Sequence, residues 1–469
     1  MVMNKVLGIC VPYRDREYHL KMLIPHLTKF LNKKGIPHKF YIAHQTDNKL
    51  FNRGVMKNIA AQHAFNDGCD YVTFHDVDML PENDSCDYSY PIDYPTHIAT
   101  KLSKYKYKLN YEQYFGGVVL MTKEQVQKTN GYSNDYWDWG MEDDDLFWRC
   151  RYEGLTEDNL FHSYKNVKCF NFNGNDSYAK IKYDKQINDT LSKSHTISIL
   201  CKIEAQPEKY KHWLIGEETK SFVEFPIFKI DTLSSYSIGF NNSGAICGSI
   251  YNNKKQNTYS WIKRPINEWT WITMSVNQET GEVWFYCNGK LIKNLKNGSL
   301  DEEPVKFEGK LQSYVDDILL CKGFVGNKFV ADYTKGKIAQ IKIYDKFTER
   351  ENINTILKND ITENLIFDLN NGNIEWFNVE ETIENIEVYG NNTPYRREGR
   401  FYSLPHVDEG FVDGKWSKGE TTAKNEKRFV LEMQQRKINY KEDGISQLKY
   451  ELVSKEEISE NCFMINVTL

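Results

Sequence analysis

No stretch of this 469-residue sequence approaches the roughly 18 consecutive apolar residues of a membrane-spanning helix, so none is expected. The opening MVMNKVLGICVPYR reads as a short apolar strand running into polar residues, not as the apolar core and small-residue cleavage site of a secretion signal. A cytoplasmic location is the resulting expectation. There is no block of one charge. The 60 basic and 65 acidic residues are interspersed and leave a net charge of -5, which argues against nucleic acid or an anionic membrane as partner. The ten cysteines are scattered, with no CxxC pair and no short-range ligand spacing, and a reducing compartment is the simpler reading. Proline is scarce, at 12 residues, and carries no functional information.

The length itself calls for two or three domains. With 40% hydrophobic and 27% charged residues the chain has the balance of a folded soluble protein. Aromatic residues make up 14%; such surfaces suit sugar rings, although most aromatic side chains serve the core.

The first 150 residues alternate two periodicities. VLGICVP (6–12), HKFYIAHQ (38–45) and DYVTFHDVDML (70–80) read as strands, while HLKMLIPHLTKFLNKK and RGVMKNIAAQHAF (53–65) carry helical spacing. Such alternation predicts an α/β domain around a mostly parallel, doubly wound (Rossmann-like) sheet. Ligands of such sheets bind at the carboxyl ends of the strands, which is where HDVD falls. YFGGVVLMT (114–122) reads as a further strand, and WDWGMEDDDLFWRCRYEG (137–154) as a loop passing into a helix.

After about residue 165 short strands follow one another, separated by turns such as QETGE and YCNGK at the spacing of an all-β sandwich. From about 390 a polar stretch leads to FYSLPH, a predicted helix (TTAKNEKRFVLEMQQR) and two strands, QLKYELV and CFMINVTL. These last residues are too few for a core of their own. The expected organisation is therefore a discontinuous α/β domain, 1–165 with 391–469, interrupted by a sandwich at 166–390, because loop insertions cost little when their ends lie close together.

Two acidic clusters carry the chemistry. If HDVD is strand, Asp76 and Asp78 share a face and can present oxygen ligands to a hard divalent cation, although short acidic motifs also arise by chance. The run Glu142-Asp143-Asp144-Asp145 offers a carboxylate base. Acids at a helix start also complement the helix dipole, and both roles are compatible.

Six ordered motifs, VPYRDREYHL, FNRGVMKN, FHDVDMLPEND, QYFGGVVLMT, GYSNDYWDWGMEDDD and RF…GISQLKYELV, resemble the β-1,4-galactosyltransferase family, glycosyltransferase family 7, over roughly residues 5–155 and 398–469. The resemblance implies a GT-A fold and an inverting, Mn²⁺-dependent transfer of a hexose, galactose from UDP-galactose, to a glycan or glycoconjugate hydroxyl. The intervening segment resembles a laminin-G or concanavalin-like jelly roll, on cues such as FNGNDSYAKI and GKIAQIKIYDKFTERE.

Carried over residue by residue, the resemblance makes Asp143 the catalytic base and Asp78, His406 and Asp408 the metal ligands, with Ser403 an alternative to Asp408. Pro12, Tyr13, Arg14, Arg16, Phe51, Arg53, Asp76, Val77, Lys104, Tyr114 and Gly117 would hold the nucleotide sugar. Trp139, Gly140, Met141, Glu142, Asp144, Arg428 and Phe429 would meet the acceptor, with Trp139 and Gly140 on a closing loop, and Asp145 would be structural. The phenol of Tyr114 would leave no room for an acetamido group, favouring galactose over its N-acetylated analogue. Asp138 and Met141 depart from the glycines of the WGWGGEDD form, which puts the usual acceptor in doubt. The competing reading is a lectin-like protein whose transferase domain binds nucleotide sugar without turning it over.

Overall fold

The computed structural model describes residues 5–138, 140–157, 160–204, 224–230, 236–241, 245–251, 255–263, 268–292, 294–296, 299–301, 303–325, 330–358, 362–389, 393–405, 411–412, 415–416, 425, 428–429 and 440–469. The chain forms two compact units. One comprises Met1–Glu157, Thr393–Phe429 and Ile438–Leu469, and the other Asp158–Asn392 and Val430–Lys437. Residue 165 lies inside one strand, Leu160–Asn173, of the second unit.

The first unit opens with β1 (Leu7–Tyr13), α1 (Glu17–Lys33), β2 (His38–Gln45), α2 (Arg53–Asn66) and β3 (Tyr71–His75). β1 lies between β2 and β3 and is parallel to both. Its side chains alternate faces. Leu7, Ile9 and Val11 join Leu20, Leu23, Leu27 and Leu31 of α1 in one core, whereas Gly8 lies against α2, where a Cβ on it would stand 2.7 Å from Ala64 Cβ. The two helices thus cover opposite faces of the sheet.

Beyond β3 come β4 (Met79–Pro81), β5 (Thr96–His97), β6 (Lys101–Leu102), β7 (Val118–Thr122), α3 (Lys123–Thr129) and α4 (Glu142–Tyr152). The sheet order is Glu451–Ser459, Cys462–Thr468, β2, β1, β3, β7, β5. Cys462–Thr468 runs parallel to β2, but β7, β5 and Glu451–Ser459 are antiparallel to their neighbours, so the sheet is mixed rather than mostly parallel. A parallel neighbour needs a crossover, usually helical. α1 and α2 supply two, while the path from β3 to β7 contains only the 3₁₀ turn Ser103–Tyr105.

A second correction concerns HDVD. β3 ends at His75, and Asp76 to Asp78 form a turn closed by Met79 N–H donating to Asp76 O (3.2 Å). The two aspartates therefore do not share a strand face; the turn brings them together. The returning chain covers this turn, since strand Arg400–Ser403 pairs with β4 and β6 and Leu404 N–H donates to the Asp78 carbonyl (2.8 Å).

The second unit, taken by itself, holds a nine-stranded and a seven-stranded sheet. Ile197, Ile199 and Ile341 of the first sheet share a core with Ile181, Ile238 and Ile318 of the second, which makes the unit a β-sandwich. On the outer face of the nine-stranded sheet Leu200, Trp271 and Tyr344 pack with Ile353, Ile356 and Leu357 of the helix Arg350–Lys358. Among the described residues nine cysteines are buried thiols without a disulfide. The terminal helix expected over TTAKNEKRFVLEMQQR falls largely outside the described residues.

Candidate active site

α2 begins at a cap: Asn52 Oδ1 accepts from Val55 N–H (2.9 Å). Four residues apart on this helix, Arg53 and Lys57 project to the same side and meet acids from two other elements. Arg53 pairs with Glu142 Oε1 at 3.0 Å, and the Lys57 ammonium stands 3.1 Å from Asp143 Oδ1 and 3.4 Å from Asp76 Oδ1. Asp78 also acts electrostatically on Arg53, and Lys104 on Asp76, so four carboxylates face three cations.

Asp143 lies in the first turn of α4. Its Oδ2 packs against the backbone of Gly116, where a Cβ would come within 2.5 Å. Burial pushes the Asp143 carboxyl up to about 7, with Glu142 and Asp76 adding to the rise and Lys57 and Arg53 opposing it. At Asp76 burial also favours the neutral form, but Lys57, Arg53 and Lys104 outweigh it and hold the carboxyl below its ordinary value. Two neighbouring carboxyls are thus driven apart, one ionised and one poised near neutrality, a pattern of acid–base sites.

The approach to Asp143 is a glycine turn. Gly117 has φ +80°, and Gly116 O accepts from His97 Nε2 (2.9 Å). Burial lowers His97 well below its usual range, so the ring is neutral and donates from Nε2. Arg396, from the returning chain, donates to His97 Nδ1 (3.4 Å) and to the carbonyls of Glu112 (2.6 Å) and Tyr114 (3.2 Å). The Tyr114 phenol lies beside Gly116 and Gly117 and meets His97 and Tyr111 edge-on, at 5.2 and 5.5 Å between ring centres.

The remaining acids of the run diverge. Asp144 accepts from Tyr111 OH (2.9 Å). Asp145 is fully buried, paired with Arg149 and accepting from Tyr136 OH (3.1 Å); Arg149 also reaches Asp443 at 3.2 Å. Ahead of the helix, Asp138, Gly140 and Met141 have φ of +68°, +100° and +77°. The residues that depart from glycine thus occupy the left-handed region glycine favours.

Of the residues assigned to the nucleotide sugar, Arg53, Asp76, Lys104, Tyr114 and Gly117 converge with Asp78 and Asp143. Val77 sits between the two aspartates, half-buried. Tyr13, Arg14 and Phe51 have other partners: Arg14 lies 5.1 Å over the Phe51 ring and donates to Lys49 O (2.7 Å), and Tyr13 meets His44 edge-on. Pro12 is buried in β1 opposite Ala43, and Arg16 donates to Asp15 O (3.2 Å). Among the acceptor residues, Arg428 is ion-paired with Asp135 and Asp443 at 2.7 and 3.1 Å, and Phe429 is fully buried. Trp139, His406 and Asp408 lie outside the described residues.

Among the described residues no three His, Cys, Asp or Glu side chains are gathered as a metal site. The donors that are placed nonetheless fit a hard divalent cation. Asp78 is a buried carboxylate in a region of negative excess, with strand Arg400–Ser403 and Leu404 beside it. The Ser403 hydroxyl donates to Met79 Sδ at 3.7 Å.

Sequence reasoning did not single out Lys57, Tyr111, His97, Tyr132 or Arg396. For Lys57 a signal was present: it follows Arg53 by one helical turn in FNRGVMKN.

The family model described as the N-terminal region of glycosyl transferase group 7 matches residues 2–91, and that described as the N-terminal domain of galactosyltransferase matches residues 96–171. Beta-1,4-galactosyltransferase 3 of Cricetulus griseus is 43% identical over 149 residues, which is 32% of this chain and 38% of that protein. Beta-1,4-galactosyltransferase 7 of Drosophila melanogaster is 38% identical over 184 residues, 35% of this chain and 56% of that protein. A crystal structure of the catalytic domain of the Drosophila enzyme, in complex with xylobiose, is 42% identical with a TM-score of 0.30, covering 32% of this chain and 63% of that one. This chain therefore spans 38% to 56% of the length of these curated relatives. The cytoplasmic expectation is corrected here: it rested on the lack of a leader and of a membrane-spanning run, and the similarity to β-1,4-galactosyltransferases does not support it. No helix among the described residues is long and apolar enough to cross a membrane, and that alone assigns no compartment. Residues 2–171, which supply Asp76, Asp78 and Asp143, are similar in sequence to glycosyltransferase group 7.

Proposed function

We propose that this chain is an inverting, Mn²⁺-dependent glycosyltransferase of GT-A type that transfers galactose from UDP-galactose to a hydroxyl of a glycan or glycoconjugate. The observation that carries this reading is the carboxyl of Asp143, raised to about 7 and set against Gly116, one lysine away from the acidic turn Asp76–Asp78. The matches to glycosyltransferase models and the identity to galactosyltransferases support it.

In this reading Asp143 takes the proton of the acceptor hydroxyl as its oxygen bonds to the sugar's anomeric carbon, while the bond from that carbon to the diphosphate breaks on the opposite face. Asp78, His406 and Asp408 would hold the cation, which when bound offsets the charge of the departing diphosphate. Asp76 orients the donor, and Arg53 and Lys104 add positive charge beside it. Tyr114 closes the space next to Gly116 and Gly117 against an N-acetyl substituent.

The test is UDP-galactose turnover with and without a glycan acceptor, in Mn²⁺ and after chelation. Turnover that chelation abolishes, Mn²⁺ restores and Asp143→Asn lowers by about 10²–10⁴-fold is the expected result. No turnover with any UDP-sugar, and an Asp143→Asn variant indistinguishable from the parent, would overturn the proposal.

A further inference from the structure

Lys57 is 1% exposed, in a stretch of α2 where Val55, Met56 and Ile59 are also buried. A lysine at such a place ordinarily bends its stem toward water. Here the ammonium stays inside, 4.8 Å over the Tyr132 ring, 3.1 Å from Asp143 and 3.4 Å from Asp76. The ammonium donates a hydrogen bond to Asp143 Oδ1, and the contact to Asp76 Oδ1 is an ion pair without one. The cation is held between two carboxylates from different parts of the chain. Asp76 Oδ1 has no hydrogen bond, so what it receives from Lys57 is charge.

We infer that Lys57 is a positioning residue for the transfer: its buried ammonium, shared between Asp143 and Asp76, holds the base carboxylate in place and ties it to the turn that carries the donor. The inference rests on the assignment of Asp143 as base.

An ammonium on a helix that also packs against β1, β2 and β3 is set by the fold, not by solvent. Its effect on Asp143 has to be weighed against everything else that faces that carboxyl. From α2 Arg53 adds a second positive charge, and from α4 itself Glu142 adds a negative one. Asp76 opposes ionisation from the β3–β4 turn. Tyr111 and Tyr114, from the segment before β7, and Tyr132, after α3, are neutral phenols, each raised well above its usual value by burial. Lys57 is the leading group opposing the burial of Asp143, so its removal and the removal of its competitor Asp76 must act in opposite directions.

The experiment follows Asp143 directly, by carbon-13 NMR of protein labelled at aspartate carboxyl carbons, the resonance being assigned by its loss in Asp143→Asn. The pH profile of UDP-galactose turnover is measured on the same variants. Lys57→Met is expected to move the Asp143 midpoint up by about one pH unit or more, Lys57→Arg to leave it close to the parent, and Asp76→Asn to move it down. A folded Lys57→Met variant with an unmoved midpoint overturns the inference. If Lys57→Met does not fold, Lys57→Gln, which keeps a polar side chain and removes the charge, decides: an upward shift is expected and an unmoved midpoint overturns the inference. Unmoved midpoints with full parental turnover remove the role of Lys57 and leave the proposed function standing, whereas shifted midpoints with no turnover in any protein remove the base assignment and the inference with it.

Discussion

Gly116 and Asp143 are in contact through a missing side chain: a Cβ on Gly116 would stand 2.5 Å from Asp143 Oδ2 and 2.9 Å from the Tyr114 ring. Since real Cβ atoms do not approach that closely, Gly116→Ala must displace the carboxylate or the phenol. Turnover of UDP-galactose is expected to fall by about 10–100-fold, as for a misplaced catalytic group, with thermal unfolding little changed. Parental kinetics in the alanine variant would refute the packing argument.

The pH dependence follows from the raised carboxyl of Asp143. A base acts in its ionised form, which grows as pH rises through about 7, so kcat/KM is expected to climb through neutrality and level off above it. A rate already flat from pH 5 upward would exclude Asp143 as the titrating base.

Tyr114 fills the space beside the Gly116–Gly117 turn, wedged among His97, Tyr105 and Tyr111. Tyr114→Leu is expected to raise the ratio of UDP-N-acetylgalactosamine to UDP-galactose turnover by about tenfold or more. Competition between the two donors in one reaction measures it directly.

Met141 holds φ +77° as the residue before α4. A side chain in the left-handed region costs about 1–2 kcal/mol, which glycine avoids at the expense of about 0.5–1 kcal/mol of chain entropy. Met141→Gly is therefore expected to be neutral to slightly stabilising and the β-branched Met141→Val destabilising, in that order of melting temperature. A valine variant as stable as the glycine one would contradict this.

Asp145 and Arg149 form a fully buried ion pair extended by Asp443 and Tyr136. Removing one partner strands a charge, and Arg149→Met is expected to destabilise the protein by about 3–5 kcal/mol, measured by denaturant unfolding. The contrast with Asp143→Asn, expected to lose turnover while keeping stability, separates two neighbouring acids by role.

Much of the fold was legible in the chain. The strand read over 38–45 is β2 residue for residue, and the helix read over 53–65 ends one residue later, at Asn66. Both depend on periodicity and on local signals such as the Asn52 cap, which neighbouring residues carry themselves. Direction was less legible: whether YFGGVVLMT runs with or against β3 depends on the absence of a crossover helix along the intervening chain. The acidic run at 142–145 was visible as a helix start, but its division of labour was not. Asp143 meets Lys57, Asp144 meets Tyr111 and Asp145 meets Arg149, partners supplied by three different parts of the chain.

Sequence alone thus determined where the acid pairs, glycine turns and helix starts fall, because these are local patterns with local causes. Only the tertiary structure decided their states. It buries Asp143, which raises that carboxyl to about 7 against the pull of Lys57, and it sets Lys57, an ordinary helical lysine in the sequence, beside Asp76, where the same ammonium helps to hold the Asp76 carboxyl below its ordinary value. Burial and charge act through space over a few ångströms, and those distances exist only once α2, the β3–β4 turn and α4 have been packed together.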